Sequence, residues 1–208
     1  IIKEESGSKI SNKLVVRNIC INSKIIKRND IFFAIKGKRI DGNKFVSEAL
    51  KKKSSLAIVN KIDKKTVRSK QIKVENTLSF LTKCSSIFRE NINAKIISIT
   101  GSCCKTTLKE MIGFTLKKIS RTTYSPKSFN NKYGVPLSLF NVKSNDNFGV
   151  FEVGMDKKGE INHLTNIIKP DLGIITNISY AHSKNFKNIK QIADAKAEIM
   201  NHIKKNGT

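Results

Sequence analysis

The sequence predicts an α/β protein with a mainly parallel sheet, carried in two parts. Three observations point there. From Ile96 onward, short apolar runs alternate with segments of helical period. Those runs are apolar almost throughout, as strands covered on both faces require. The first 76 residues carry the same mixture less regularly, so 1–76 is expected to be a small N-terminal domain and 77–208 a second α/β domain.

In chain order, extended runs are expected at Leu14–Val16 and Ile31–Ile35. A helical pattern follows through Phe45, Val46, Ala49 and Leu50, then strands at Leu56–Val59 and Ile72–Val74. Leu78, Leu81, Cys84, Ile87 and Phe88 recur at helical spacing, which predicts a helix over Thr77–Arg89 leading into the second part. Next come a strand at Ile96–Thr100, a short loop and a helix from Thr106 to about Ile119. A short strand at Arg121–Tyr124 precedes a polar loop and the Gly134-Val135-Pro136 segment. Strand Gly149–Val153, helix Glu160–Ile168, strand Leu172–Thr176 and helix Asn188–His202 complete the series. The chain opens without Met and stops at a turn sequence, Asn206-Gly207-Thr208, so the second sheet is expected to be incomplete.

The chain has 208 residues and a formal net charge of +24. Lys supplies 34 of the 40 basic residues, and Lys, Ile and Asn, which share adenine- and thymine-rich codons, make up 85 of the 208. The basic residues are scattered, the densest cluster being Lys51-Lys52-Lys53, and no aromatics are interleaved with them. No nucleic-acid partner is expected, although the charge would draw in anionic nucleotide ligands. No apolar run approaches the roughly 18 residues of a membrane helix, so no membrane insertion is expected. Cys20, Cys84, Cys103 and Cys104 lack metal-ligand spacing, and the default compartment is a reducing cytoplasm.

The strongest motif is Gly101-Ser102-Cys103-Cys104-Lys105-Thr106-Thr107, placed between a strand and a helix. That is the layout of a P-loop: backbone N–H groups cradle phosphates, Lys105 neutralises them and the Thr106 hydroxyl can ligate Mg²⁺. Cys104 stands where the pattern has Gly, and its Cβ is expected to crowd the phosphates. Taken alone, the segment could be a loop that only resembles a P-loop. Glu152, ending an apolar strand, is a candidate second metal ligand, and His182 follows another strand end. Each has a plainer reading, as a surface carboxylate and a hydrogen-bonded loop histidine. Lys196 falls on the apolar stripe of Ile189, Ile192, Ile199 and Ile203, where a lysine either snorkels to water or is buried and chemically altered.

Several longer phrases share a resemblance. Thr-Gly-Ser-x-x-Lys-Thr-Thr from Thr100, Glu152-Val-Gly-Met-Asp-Lys-Lys-Gly-Glu160-Ile, Thr176-Asn-Ile-Ser-Tyr-Ala-His182 and Ala195-Lys-Ala-Glu-Ile199 resemble the Mur ligases of peptidoglycan synthesis. Phe129-Asn-Asn-Lys-Tyr-Gly-Val-Pro-Leu137 is most similar to the branch joining D-alanyl-D-alanine to UDP-N-acetylmuramoyl-tripeptide. Upstream, Ile21-Asn-Ser-Lys24, Asn29-Asp-Ile-Phe-Phe-Ala-Ile-Lys-Gly37 and Asp41-Gly-Asn-Lys-Phe45 resemble the small UDP-binding domain of that family.

The resemblance implies a UDP-binding domain at 1–76 and an ATP-binding P-loop domain at 77–208, truncated on its C-terminal side. It also implies a reaction in which ATP phosphorylates the substrate carboxylate and an amine attacks the acyl phosphate. Gly101, Ser102, Cys103, Cys104, Lys105, Thr106 and Thr107 would hold ATP, with Lys105, His182 and Lys196 catalytic. Thr106 and Glu152 would bind one Mg²⁺, and His182 with a carbamylated Lys196 would serve a second. Ser23, Lys24, Asp41, Asn130 and Asn131 would face the UDP-linked substrate, Lys24 standing where the family usually has Arg and Asn22 where it has Asp. The implied protein is a cytoplasmic monomer, and the 208 residues alone are expected to be inactive. Another amino-acid ligase of the family, or a nucleotide-binding module without catalysis, are the alternatives.

Overall fold

A computed structural model describes residues 1–10, 14–180 and 185–208. The chain divides into two compact units, Ile1–Cys84 and Ser85–Thr208. The first unit contains α1 (Ile2–Ser6), β1 (Ile19–Cys20), β2 (Ile31–Phe33), α2 (Val46–Lys51), β3 (Leu56–Val59) and β4 (Gln71–Lys73), and it ends within α3 (Thr77–Glu90). Its strands form one parallel sheet in the order β1-β2-β3-β4, with Phe32 opposite Ala57 and Ile58 opposite Ile72.

Both faces of this sheet are covered, which is why β2 and β3 read as unbroken apolar runs. Phe32, Ala57 and Val59 pack with Val46 and Ala49 of α2, while Phe33 stacks on Phe80 of α3 at 6.3 Å between ring centroids. The run expected at Leu14–Val16 is not a strand. Pairing starts only at Ile19, because Arg17 is fixed one step earlier: its N–H donates to the Asn29 carbonyl and its guanidinium grips buried Asp30 through two 2.9 Å bonds. Val15 and Val16 are left exposed beside the sheet.

The second unit holds β5 (Lys95–Thr100), α4 (Lys105–Ile119), β6 (Thr122–Tyr124), α5 (Gly134–Leu139), β7 (Phe148–Glu152), α6 (Glu160–Ile168), β8 (Leu172–Ile175) and α7 (Ile189–Ala197). All four strands are parallel, in the order β6-β7-β5-β8. The chain leaves β5 toward β6 and β7 on one side, then returns to place β8 on the other. The topological switch therefore lies at the carboxyl end of β5, where open parallel sheets gather ligands.

The Gly134 segment folds as helix α5, and the Asn131 side-chain oxygen caps it through the N–H groups of Tyr133 and Gly134. The helix expected over Asn188–His202 is α-helical only to Ala197 and tightens into a 3₁₀ turn over Glu198–His202. Glu198 in that turn accepts the Gly159 and Asn162 N–H groups and so caps α6. Arg89 is 1% exposed and donates to the carbonyls of Ile92, Ile168 and Lys169 and to the Asp171 carboxylate. Asp171 in turn accepts the Ile96 N–H, and that bond, Lys95 and Arg89 hold its carboxyl below the ordinary range against its own burial. Among the described residues no helix is long and apolar enough to cross a membrane.

Candidate nucleotide site

The loop 101–104 leaves β5 at the switch point and enters α4 directly. Gly101 sits at φ +151°, and a Cβ there would fall 1.8 Å from Thr176 Oγ1. Glycine is thus required by the close approach of the segment after β8. Cys104, the residue before α4, lies at φ 61° and ψ 8°, a left-handed conformation that Gly adopts freely and a Cβ makes costly. The difficulty with Cys104 is therefore conformational as well as steric.

The segment after β8 holds the loop in shape. Asn177 Oδ1 accepts the N–H groups of Ser102 (3.1 Å) and Cys103 (3.0 Å), and its Nδ2 donates to Cys103 Sγ at 2.8 Å. Thr176 Oγ1 donates to the Cys103 carbonyl, while Ser102 and Ser179 exchange two 2.9 Å bonds. The Asn177 amide and the Cys104 thiol hold the Cys103 thiol below its usual pKa. The first N–H groups of α4 have no intrahelical partner and, together with the helix dipole, favour an anion. Lys105 folds back over the loop, donating to the Gly101 carbonyl at 2.8 Å.

Thr106 and Glu152 come together. Thr106 Oγ1 donates to Glu152 Oε2 at 2.7 Å and lies 3.3 Å from Ser128 Oγ, and Asn130 Nδ2 donates to Glu152 Oε1 at 2.7 Å. Glu152 is 1% exposed, and no opposite charge among the described residues pairs with it. Hard oxygens from a hydroxyl and a buried carboxylate fit Mg²⁺, which takes few protein ligands and completes its shell with phosphate oxygens and water. Lys109, fully buried in α4, donates to the carbonyls of Ser125 and Lys127 at 2.7 Å and so fixes the segment that delivers Ser128 and Asn130.

Lys196 is 1% exposed, and burial, helped by the charge of Lys105, pushes its ammonium down to about 8. It is buried, as are Ile192 and Ala195 of the same helix, rather than snorkelling. His182 lies outside the described residues. Asn131 joins the same loop as Asn130, but its oxygen is committed to capping α5.

Ser23, Lys24 and Asp41 belong to the first unit. Ser23 Oγ donates to Glu48 Oε2 at 2.9 Å, and Lys52 donates to the carbonyls of Ser23 and Lys24. Asp41 accepts the Asn43 side-chain and backbone N–H groups, which lower its pKa. Lys24 is exposed. Ser128, Thr176, Asn177, Ser179 and Lys109 escape a reading of the sequence, because each acts through segments distant in the chain. Only the phrase beginning Thr176-Asn177 carried a signal, an amide just past a strand's carboxyl end.

Fold and site together define a parallel α/β protein with a glycine-led strand–loop–helix turn at its switch point. The family model for the Mur ligase middle domain matches residues 99–208, and that for the Mur ligase family, catalytic domain, matches 15–89. The chain belongs to the Mur ligase family. The UDP-N-acetylmuramoyl-tripeptide–D-alanyl-D-alanine ligase of Rickettsia prowazekii is 36% identical over 200 residues, which cover 96% of this chain and 44% of that protein. The crystal structure of MurF from Acinetobacter baumannii superposes with a TM-score of 0.89 at 30% identity, covering 99% of this chain and 46% of that one. MurF of Thermotoga maritima, solved in complex with ADP, has a TM-score of 0.81 at 33% identity, covering 95% and 46%. The chain spans less than half the length of these relatives.

Proposed function

We propose that this chain is the UDP-substrate and nucleotide-binding portion of an ATP-dependent ligase that joins D-alanyl-D-alanine to UDP-N-acetylmuramoyl-tripeptide in the cytoplasm. The observation that carries the reading is the 2.7 Å bond between Thr106 and buried Glu152, next to a loop shaped for phosphate. Bound ATP and Mg²⁺ would supply the phosphoryl group that activates the substrate carboxylate and the charge neutralisation that transfer requires. Residues Gly101–Thr107 receive the β- and γ-phosphates, Lys105 exchanging the Gly101 carbonyl for phosphate oxygen. Thr106 and Glu152 hold the metal, and Asn130 keeps the carboxylate aimed at it. Lys196, its pKa lowered by burial, would add CO₂ as the neutral amine and release one proton to solvent, and the resulting carbamate with His182 would hold a second Mg²⁺. Asn130 and Asn131 in the second unit face the UDP-linked substrate, and Ser23, Lys24 and Asp41 in the first unit recognise its uridine end. The active protein is a monomer.

The test is a chimera in which residues 1–208 replace the matching segment of the Rickettsia prowazekii relative. It should form the D-alanyl-D-alanine adduct with release of ADP, and the isolated 208-residue chain should form none. A folded chimera that binds nucleotide yet turns over neither substrate would refute the proposal.

A further inference from the structure

Cys103 and Cys104 are both exposed, and their sulfur atoms lie 3.7 Å apart, Cys104 donating its S–H to Cys103 Sγ. The phosphate-binding role described above uses the backbone at these positions and leaves both thiols unassigned. Adjacent Cα atoms sit about 3.8 Å apart across a trans peptide, inside the roughly 4.4 Å lower bound for disulfide-linked residues, so a direct S–S bond would require the backbone to move. A bridging ion faces no such obstacle. Two thiolates bound to one Zn²⁺ at about 2.3 Å in tetrahedral geometry are separated by about 3.8 Å. The sulfurs already stand at that separation.

We propose that Cys103 and Cys104 form a chelating dithiol site for a thiophilic divalent cation of the Zn²⁺ class. Binding makes two metal–sulfur bonds, releases the two thiol protons to solvent and changes no oxidation state. Water completes the coordination. Asn177 Nδ2, which donates to Cys103 Sγ at 2.8 Å, stays in place as a donor to the metal-bound sulfur and holds it on the chelating side of the loop. The other two cysteines are unsuited: Cys84 is fully buried, and Cys20 is half-buried in the first unit with no adjacent cysteine.

The test is a titration of the 208-residue chain with Zn²⁺ against a chromophoric chelator, and with Cd²⁺ while recording thiolate-to-metal charge-transfer absorption. Both are run without nucleotide, so the outcome is separate from the ligase reading. One equivalent should bind, and Cys103→Ser and Cys104→Ser should each weaken binding on the order of 10²-fold, since either change turns an intramolecular second bond into none. Cys104→Gly, which suits the backbone at that position, should weaken it equally and guards against loss through misfolding. Cys20→Ser should leave binding unchanged. Undiminished affinity in Cys103→Ser or Cys104→Gly, or loss of the site in Cys20→Ser, would overturn the proposal.

Discussion

Replacing Cys104 with glycine should stabilise the protein. The residue is held at φ 61° and ψ 8° immediately before α4, and no other residue of the loop 101–104 except Gly101 has a positive φ. An L-residue with a Cβ gives up about 1–2 kcal/mol in that conformation. Glycine removes this cost but returns about 0.4–1 kcal/mol through the greater freedom of the unfolded chain. The net expectation for Cys104→Gly is a gain of about 0.5–1 kcal/mol, or a rise in Tm of roughly 2–5 °C for a unit of this size. Thermal unfolding followed by circular dichroism reads it directly, and Cys103→Gly is the matched control. Cys103 has a negative φ, so glycine there brings the entropic loss together with loss of the Asn177 Nδ2–Sγ bond, and should lower the Tm. With the Cβ removed from the loop, ADP should also bind several-fold more tightly. A Cys104→Gly protein no more stable than the parent, or one that falls in step with Cys103→Gly, would show that the left-handed strain is not there.

Two further expectations rest on buried cations. Arg89→Met should cost about 3–5 kcal/mol by urea unfolding, because it strands three buried carbonyls and the Asp171 carboxylate; a loss under about 1 kcal/mol would show that water replaces the guanidinium at little cost. Lys196, lowered to about 8, binds fewer protons folded than unfolded between about pH 8 and its ordinary value near 10.5. Its burial cost is therefore complete below pH 8 and fades as pH rises through that window. In CO₂-free buffer Lys196→Met should be more stable than the parent at pH 7.5, on the order of 1–3 kcal/mol, and should lose most of that advantage by pH 10. An advantage independent of pH would contradict the assignment.

The sheet of the second unit was legible because strands covered on both faces leave nearly unbroken apolar runs, as at Gly149–Val153, where every residue is buried. β1 was not, since two paired residues carry no periodicity and the more apolar Leu14–Val16 lies beside them. Helix α5 was hidden by Gly134 and Pro136, although proline in a first turn removes no helical bond. At the site, Thr106, Glu152 and Lys196 announced themselves by their phase with strands and a helix stripe. Asn177 and Ser128 did not, because their bonds join residues 75 and 22 positions apart, and no local pattern records such a pairing. Likewise Lys109 looks like one lysine among 34, and only its burial against two carbonyls separates it from the rest.

The most direct test of a Mg²⁺–nucleotide site at the carboxyl end of β5 is calorimetric titration of ADP into the 208-residue chain, with and without Mg²⁺, for the parent and Glu152→Gln. Glutamine keeps the size of the side chain and can still meet Asn130 and the Thr106 hydroxyl, so the fold should survive while the metal-binding charge disappears. The parent should bind ADP more tightly with Mg²⁺ present, and Glu152→Gln should lose that Mg²⁺-dependent gain. Mg²⁺ dependence that is equal in the two proteins, or no ADP binding by the folded parent, would contradict the site.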